Sequence, residues 1–511
     1  MLKKLILLIV AGAVSAAGYS FNDWLSLNGT NEFNYLRQKE DGFAWKWDIL
    51  QAELWAWRFA VGGEAEFDHP RKPTVEDPTS WGPEGDEVVQ RYARYRDDMF
   101  DVRAGHFDKT LGKGLTVRSY EDRDLEVYQR LDGGVADVCF TFGDREWGEI
   151  SALWGRNRHD EELQEHDDRV GGGQITFRPF DFLYLTASGA EAEVENTQNY
   201  ELEKNTLYAG GLGGGWKYFD VYGEYATRES YDSLFLEDID GKGFYGIATG
   251  YLPRSSVSFE YKYYDHLTYR YNNPPPVSFD EKMITGSEGQ GPPSEWGYFA
   301  QVTANPVDDV RFRGGYNYAD NAVGELTEKD EFVEGYFANA RYDLPWPVVV
   351  EAGYEYVGDV NYILGVPYGD TRSIPSLAVA WTVTDDHSIS AEAEREERRD
   401  FTWGGRLYTY NRGSLGYTYS SWLGLTVSYE DTNQTAQELI NPGDPPLEQQ
   451  YRIKNNWLWG EVRLSWYHPK FQNHVLTIGY GSKRGGLICS SGVCQQEAPF
   501  SGLKVALEST F

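Results

Sequence analysis

The sequence predicts an all-β fold, a transmembrane antiparallel up-and-down β-barrel of about 24 strands, within a range of about 20 to 26. Three observations lead there. Apolar and polar residues alternate with period two along runs that recur from one end of the chain to the other, longer than the roughly five or six residues usual in a soluble sandwich. Tight turns alternate with long acidic stretches, 11 of the first and 12 of the second, as when short turns line one membrane face and long loops the other. Aromatic residues make up 15% of the chain, with 37 Tyr and 17 Trp, which suits girdles at two membrane interfaces. A mean hydropathy of -0.57 does not oppose a barrel, because only alternate strand residues meet lipid.

Taken in order, Met1-Leu2-Lys3-Lys4 is a basic start, Leu5 to Val14 an apolar run, and Val14-Ser15-Ala16 or Ser15-Ala16-Ala17 a small-residue cleavage site. Residues 1–17 therefore read as a secretory signal peptide, too short to span as a helix. No Cys follows, so lipid attachment there is not expected. Residues 18–511 show no linker or change of texture and read as one barrel domain. Strand pattern starts at once, at Trp24 to Leu36, which predicts no plug domain within the chain. Alternation is clear at Val257 to Tyr263, Val310 to Tyr318, Val348 to Tyr356, Ile389 to Glu394 and Glu461 to Trp466. It ends with Leu503, Val505, Leu507, Ser509 and Phe511 opposing Lys504, Ala506, Glu508 and Thr510.

Turns fall at Trp55 to Trp57, Asp97-Asp98, Gly143-Asp144, Arg178 to Asp181, Tyr218 to Asp220, Leu252 to Arg254, Asn305 to Asp308, Leu344 to Trp346, Thr384 to Asp386, Ser420-Ser421 and His468 to Lys470. Among the acidic loops are Glu193 to Lys204, Ser230 to Lys242, Leu267 to Glu295, Ala319 to Asp330, Asp431 to Gln450 and Lys483 to Pro499. A net charge of -33 opposes a nucleic-acid partner.

Residues 108–132 differ from the other loops, being rich in Arg with Leu, Val and Tyr between the charges. Apolar anchors and paired charges are what a loop folded into a partly hydrated lumen needs. The segment is expected to set the constriction, with Gly112 and Gly114 supplying turns. Arg118, Glu121, Arg123 and Asp124 would pair with each other or with wall charges such as Arg103, Glu351 and Glu355. A long solvated surface loop is the other reading. Inward-facing Glu224, Glu260, Glu351, Glu355, Glu392, Glu394, Glu461 and Glu508 outnumber Arg103, Arg311, Arg313, Arg341, Arg463 and Lys504. That mixture leans toward cations, unless the charges only keep the pore wet and pair with one another.

Cys489 and Cys494 bracket Ser490-Ser491-Gly492-Val493, read as a small disulfide ring in an oxidising compartment or as a free or metal-bound pair. Cys139, between Val138 and Phe140, reads as a small buried hydrophobe. Asn157 to Asp168 offers His159 and His166 among carboxylates, but the spacing matches no metal-ligand pattern and a solvated loop is expected. Without Cys-x-x-Cys-His or a convincing pairing of His with Ser or Asp, neither a cofactor, a metal nor an enzymatic activity is expected.

The C-terminal strand ending in Phe511 resembles the signature of bacterial outer-membrane β-barrels, whose final Phe is read by the barrel-insertion machinery. The stretch Arg103-Ala-Gly105-His-Phe107, then Gly112-x-Gly114-Leu115-x-x-Arg118-x-Tyr120-Glu121-x-Arg123, then Leu131-Asp132-Gly133 is similar to one in a family of uncharacterised outer-membrane barrel proteins of Gram-negative bacteria. It also resembles the constriction-loop region of substrate porins. These resemblances imply an outer-membrane, porin-like protein in contact with lipid and lipopolysaccharide. A barrel this wide leaks unless narrowed by its loops or by a second protein. The leading expectation is a channel for passive or facilitated passage of small hydrophilic solutes. An alternative is a scaffold sheathing a lumen-filling partner, such as a multihaem cytochrome or an exported chain, and an outer-membrane hydrolase is a remote third.

Overall fold

The computed structural model describes residues 20–22, 24–39, 44–69, 85–122, 127–157, 167–195, 202–232, 237–272, 274–275, 294–320, 329–363, 366–401, 405–433, 455–468, 472–483, 486–490, 493–497 and 500–510. Twenty-four strands form a closed antiparallel barrel, each paired with its neighbour in sequence. The ring shuts where Leu25–Gln38 meets Phe500–Thr510, in register from Thr30 opposite Thr510 to Gln38 opposite Gly502. A three-residue strand, Ser20–Asn22, pairs beside the seam. Wall strands run from 8 residues at Phe100–Phe107 to 19 at Val366–Thr384.

Turns lie at residues 57–58, 97–99, 143–144, 181–182, 217–218, 253–254, 308–309, 344–347, 385–386 and 420–422, each within or abutting a turn read from the sequence. Their tightness is backed by left-handed backbone at Trp57 (φ 58°), Gly143 (66°), Arg254 (66°) and Ser420 (49°). The turn expected at His468 to Lys470 lies largely outside the described residues, between Asn456–His468 and Gln472–Lys483. Residues 1–17 and Phe511 also lie outside them.

The outer surface is apolar. Val257 and Phe259, Leu377 and Trp381, Leu425 and Val427 are all exposed, and their alternation with Ser258, Ala378 and Thr426 is what a lipid-facing wall requires. Aromatics gather at both rims. Phe180, Phe182, Trp216, Tyr419 and Trp422 crowd the turns, while Tyr298, Tyr316, Tyr318, Tyr336 and Tyr356 stack at the loop end. Buried apolar residues collect instead inside the barrel, a small group of Ala319, Val333 and Val357 across the ring and a much larger one on the other side. There Phe107, Leu111, Leu115, Val117, Leu131, Val170, Leu207, Leu267, Tyr269 and Tyr271 form one cluster.

Candidate functional site

That cluster exists because two segments leave the loop end and fold against the inner wall. The first follows Phe100–Phe107. Lys109–Leu111 pairs with Val117–Ser119 as a small hairpin, joined by a turn in which Gly112 (φ 61°) and Gly114 (φ 87°) adopt left-handed backbone. Leu111, Leu115 and Val117 are fully buried. The tip is clipped to the wall at about mid-strand: the Gly112 amide donates to Gln174 Oε1 at 2.5 Å and the Lys113 amide to Glu224 Oε2 at 2.9 Å. Tyr222 donates its hydroxyl to the same carboxylate. Gln174 and Glu224 both face the lumen, since Ile175 and Tyr225 beside them are exposed on the outside. Lys113 is the exposed residue of the tip, its ammonium 5.4 Å from the centre of the Tyr222 ring.

The second segment follows Ser255–Asp265. His266 takes φ 50° and turns the chain inward, so Leu267, Tyr269 and Tyr271 bury against the first segment. Backbone and side chain lock the two together. The Arg118 amide donates to Tyr271 O at 2.7 Å, the Tyr269 hydroxyl to Thr116 O at 2.9 Å, and Asn272 Nδ2 to Leu115 O and Leu267 O, both at 3.0 Å. Asp168, fully buried, accepts from Tyr271 Oη and Arg270 Nη1 at 2.8 Å each. Arg228 ties the base, donating to His266 O, Thr268 O, Asn205 Oδ1 and Glu203 Oε1 at 2.7 to 3.0 Å. Burial pushes the Tyr269 and Tyr271 hydroxyls well above the usual tyrosine range, so both remain neutral donors. Beside the segment, Lys262 and Glu295 form a buried ion pair.

Several expectations change here. Leu267 to Glu295 is not one solvated loop, since its first six residues are buried or partly buried inside the barrel and Ser294–Val307 is already wall. Asp168 is not a loop carboxylate but a buried strand residue, and 158–166 lie outside the described residues. Cys139 is half-buried rather than core, because Phe140 and Phe142 point outward and leave it on the lumen side. There its sulfur, Glu146 and Glu149 bring ligand atoms within 4.8 Å of one another.

Of the residues proposed to pair, Glu121 meets Arg130 at 2.8 Å, and Arg130 meets Asp108 at 3.1 Å. Arg118 lies over the Tyr120 ring and Arg103 over the Tyr92 ring, at 4.6 and 3.7 Å. Arg123 and Asp124 fall outside the described residues. Glu351 and Glu355 are not near Arg103. They sit on Val348–Ile363, the seventeenth wall strand, and Arg103 on the fifth, opposite sides of a 24-strand ring. Arg311 and Arg313 also lie on that far side, on Val310–Asp320. Register sets Cys489 opposite Cys494 in a hairpin of Gly486–Ser490 and Val493–Glu497. The far wall is charged and mutually paired: Arg412 meets Glu394 at 2.8 Å, Glu430 at 3.5 Å and Glu396 at 3.6 Å, and Asp370 serves both Arg372 and Arg398.

A family of unknown function, DUF6029, matches residues 49–282, a span holding both inserted segments. No curated protein sequence matches the chain. Among solved structures, one is the P pilus tip assembly intermediate PapC-PapD-PapK-PapG of E. coli, 9% identical over 97% of this chain and 62% of that one, with a TM-score of 0.53. Another is the siderophore receptor PirA of Pseudomonas aeruginosa, 9% identical over 96% and 80%, TM-score 0.47. OccK5 of the same organism is 11% identical over 71% and 98%, TM-score 0.40. Fold and likeness together define a large transmembrane β-barrel of the outer-membrane kind.

Proposed function

We propose that this barrel is a wide outer-membrane conduit whose lumen holds or passes a second polypeptide, with the inserted pair of segments buttressing one side of it. The observation that supports this reading is asymmetry. The segments hug the wall from Phe100–Phe107 to Ser255–Asp265, while Arg311, Arg313 and Glu351 across the ring keep exposed side chains. Selecting one small solute at a time calls for a ring of groups converging on a narrow neck, whereas an extended chain or a folded guest needs width and a wet wall. A guest carrying haem would bring it, together with its ligands.

Extraction in mild detergent tests this. A stoichiometric companion in the purified complex supports the conduit, and a barrel that is always alone refutes it. Passage of small hydrophilic solutes is the second reading, favoured by Lys113, which the hairpin tip presents to the lumen at mid-strand. On that reading segment 108–132 sets the constriction. Removing Gly112 to Arg130 then raises single-channel conductance in a planar bilayer, and an unchanged conductance sinks the constriction.

A further inference from the structure

We infer that Arg311, Arg313 and Arg341 form a carboxylate-binding patch on the lumen wall at the turn-side rim of the barrel. Arg311 and Arg341 are directly opposite in register on Val310–Asp320 and Lys329–Asp343, and both face inward because Phe312 and Tyr342 beside them are exposed on the outside. Like charges set opposite on one face of a sheet destabilise the pair. One carboxylate is shared between them: Asp343 lies 2.9 Å from Arg341 and 4.0 Å from Arg311. Arg313, one step along the same face, meets only a neutral acceptor among its hydrogen bonds, Gln301 Oε1, at 3.0 and 3.3 Å, with the Phe337 ring 5.2 Å away.

Neighbouring acids offset this charge only in part. Glu351 faces Arg341 in register, yet no ion pair within 4.0 Å joins them among the described residues, and Asp308 at the adjacent turn is taken by Arg254 at 2.8 Å. The contrast with Arg412, met by three carboxylates on the same wall, is sharp. In a chain with 80 acidic and 47 basic residues, a patch of three under-compensated guanidiniums is out of keeping with the composition. Arg311 and Arg341 are 59% and 40% exposed, so their free fork edges are open to an incoming group. Guanidinium forks match carboxylate geometry, and three of them on two adjacent strands suit a ligand with several carboxylates. Such a ligand is an acidic stretch of polypeptide or a small polyacid.

The test is fluorescence anisotropy of labelled hexaglutamate with the purified full-length barrel in detergent at low salt. The wild type binds, the triple variant R311Q/R313Q/R341Q binds at least tenfold more weakly, and Arg463→Gln, elsewhere on the lumen wall, binds as the wild type does. Competition separates the sources. Displacement by unlabelled hexaglutamate but not by free glutamate at equal carboxylate concentration assigns the patch to an acidic chain, and equal displacement assigns it to small acids. Absence of binding, or binding that the correctly folded triple variant retains, overturns the inference. If the triple variant does not fold, the single variant Arg313→Gln is decisive, with at least a threefold loss expected and no loss overturning the patch.

Discussion

Gly112→Ala puts a side chain where the hairpin tip has none to spare. At φ 61° a non-glycine residue is strained, costing roughly 1–2 kcal/mol, and the added Cβ would overlap the Glu224 carboxylate. Relief comes from the Glu224 carboxylate swinging aside or from the tip moving off the wall, and either breaks the clip. What holds the clip is Gly112 N–H to Gln174, a neutral bond contributing about 1 kcal/mol, and Lys113 N–H to the Glu224 carboxylate, about 1.5–3 kcal/mol. The backbone strain alone, roughly 1–2 kcal/mol, raises the open population about 5- to 30-fold, and the overlap with Glu224 adds to it. The wall strands are untouched, so global unfolding changes little. Amide hydrogen exchange of Lys113 to Ser119 checks it, with Gly134→Ala as control, since the nearest atom to a Cβ there is 3.8 Å away. Exchange at the tip should accelerate in the first variant alone. Equal protection in both would show that the clip to Glu224 does not hold the hairpin, and the argument from close approach would fail.

Three further outcomes are expected. Ile175→Arg, on the lipid side where Ile175 is 56% exposed, should cost roughly 2–4 kcal/mol near the bilayer midplane, whereas Ser258→Arg on the lumen side should cost much less, both read by urea unfolding in lipid vesicles. At the 97–99 turn the Tyr95 hydroxyl, then the Met99 and Phe100 amides, donate to Asp97 at 2.7, 2.9 and 2.8 Å and hold its carboxyl below the usual range. A depressed value means the turn is fully stabilised above the ordinary carboxylate pKa of about 4 and loosens as pH falls through the lower folded value. Amide shifts of Met99 and Phe100 should therefore titrate with acid, and Asp97→Asn should abolish that titration. If Cys489 and Cys494 form a disulfide, alkylation labels one thiol per chain before reduction and three after it, and three labels before reduction refute the bond.

Wall and turns were legible because both signals are local. Alternation at Val257 to Tyr263 needs only its own residues to declare a two-faced strand, and a turn such as Pro253-Arg254 is set by its own backbone. The first inserted segment was half legible, through Gly112-x-Gly114 and the apolar residues among its charges. Its wall partners were not, since Gln174 and Glu224 lie 62 and 111 residues further on. The second segment was masked by the acidic run past residue 277, which gave the whole stretch the look of a solvated loop. Leu267, Tyr269 and Tyr271 continue a period-two apolar pattern beyond the end of the strand, and that was the available signal. The reversal itself rests on His266, a residue type that takes left-handed backbone more often than most but too seldom for one His to announce a turn.

The wall says where an insert must sit, and it says so through a failure of alternation. In a water-filled barrel every inward position should be polar, as Glu394, Arg412 and Glu430 are on the far side. Val170, Ala192, Leu207 and Ala226 break that rule. Their outward neighbours Tyr208 and Tyr225 are exposed to lipid, so these four face inward, yet each is fully buried. Left wet, they would leave an apolar stripe inside a polar lumen. Leu111, Leu115 and Val117 cover it, each contributing roughly 1.5–3 kcal/mol by its own burial. The insert and its sector of wall are therefore one unit in energy, although they are scattered over more than a hundred residues of sequence. A guest that displaced the insert would have to replace that apolar cover. One that lies against the charged far wall need not, so the proposed conduit would take its guest on that side.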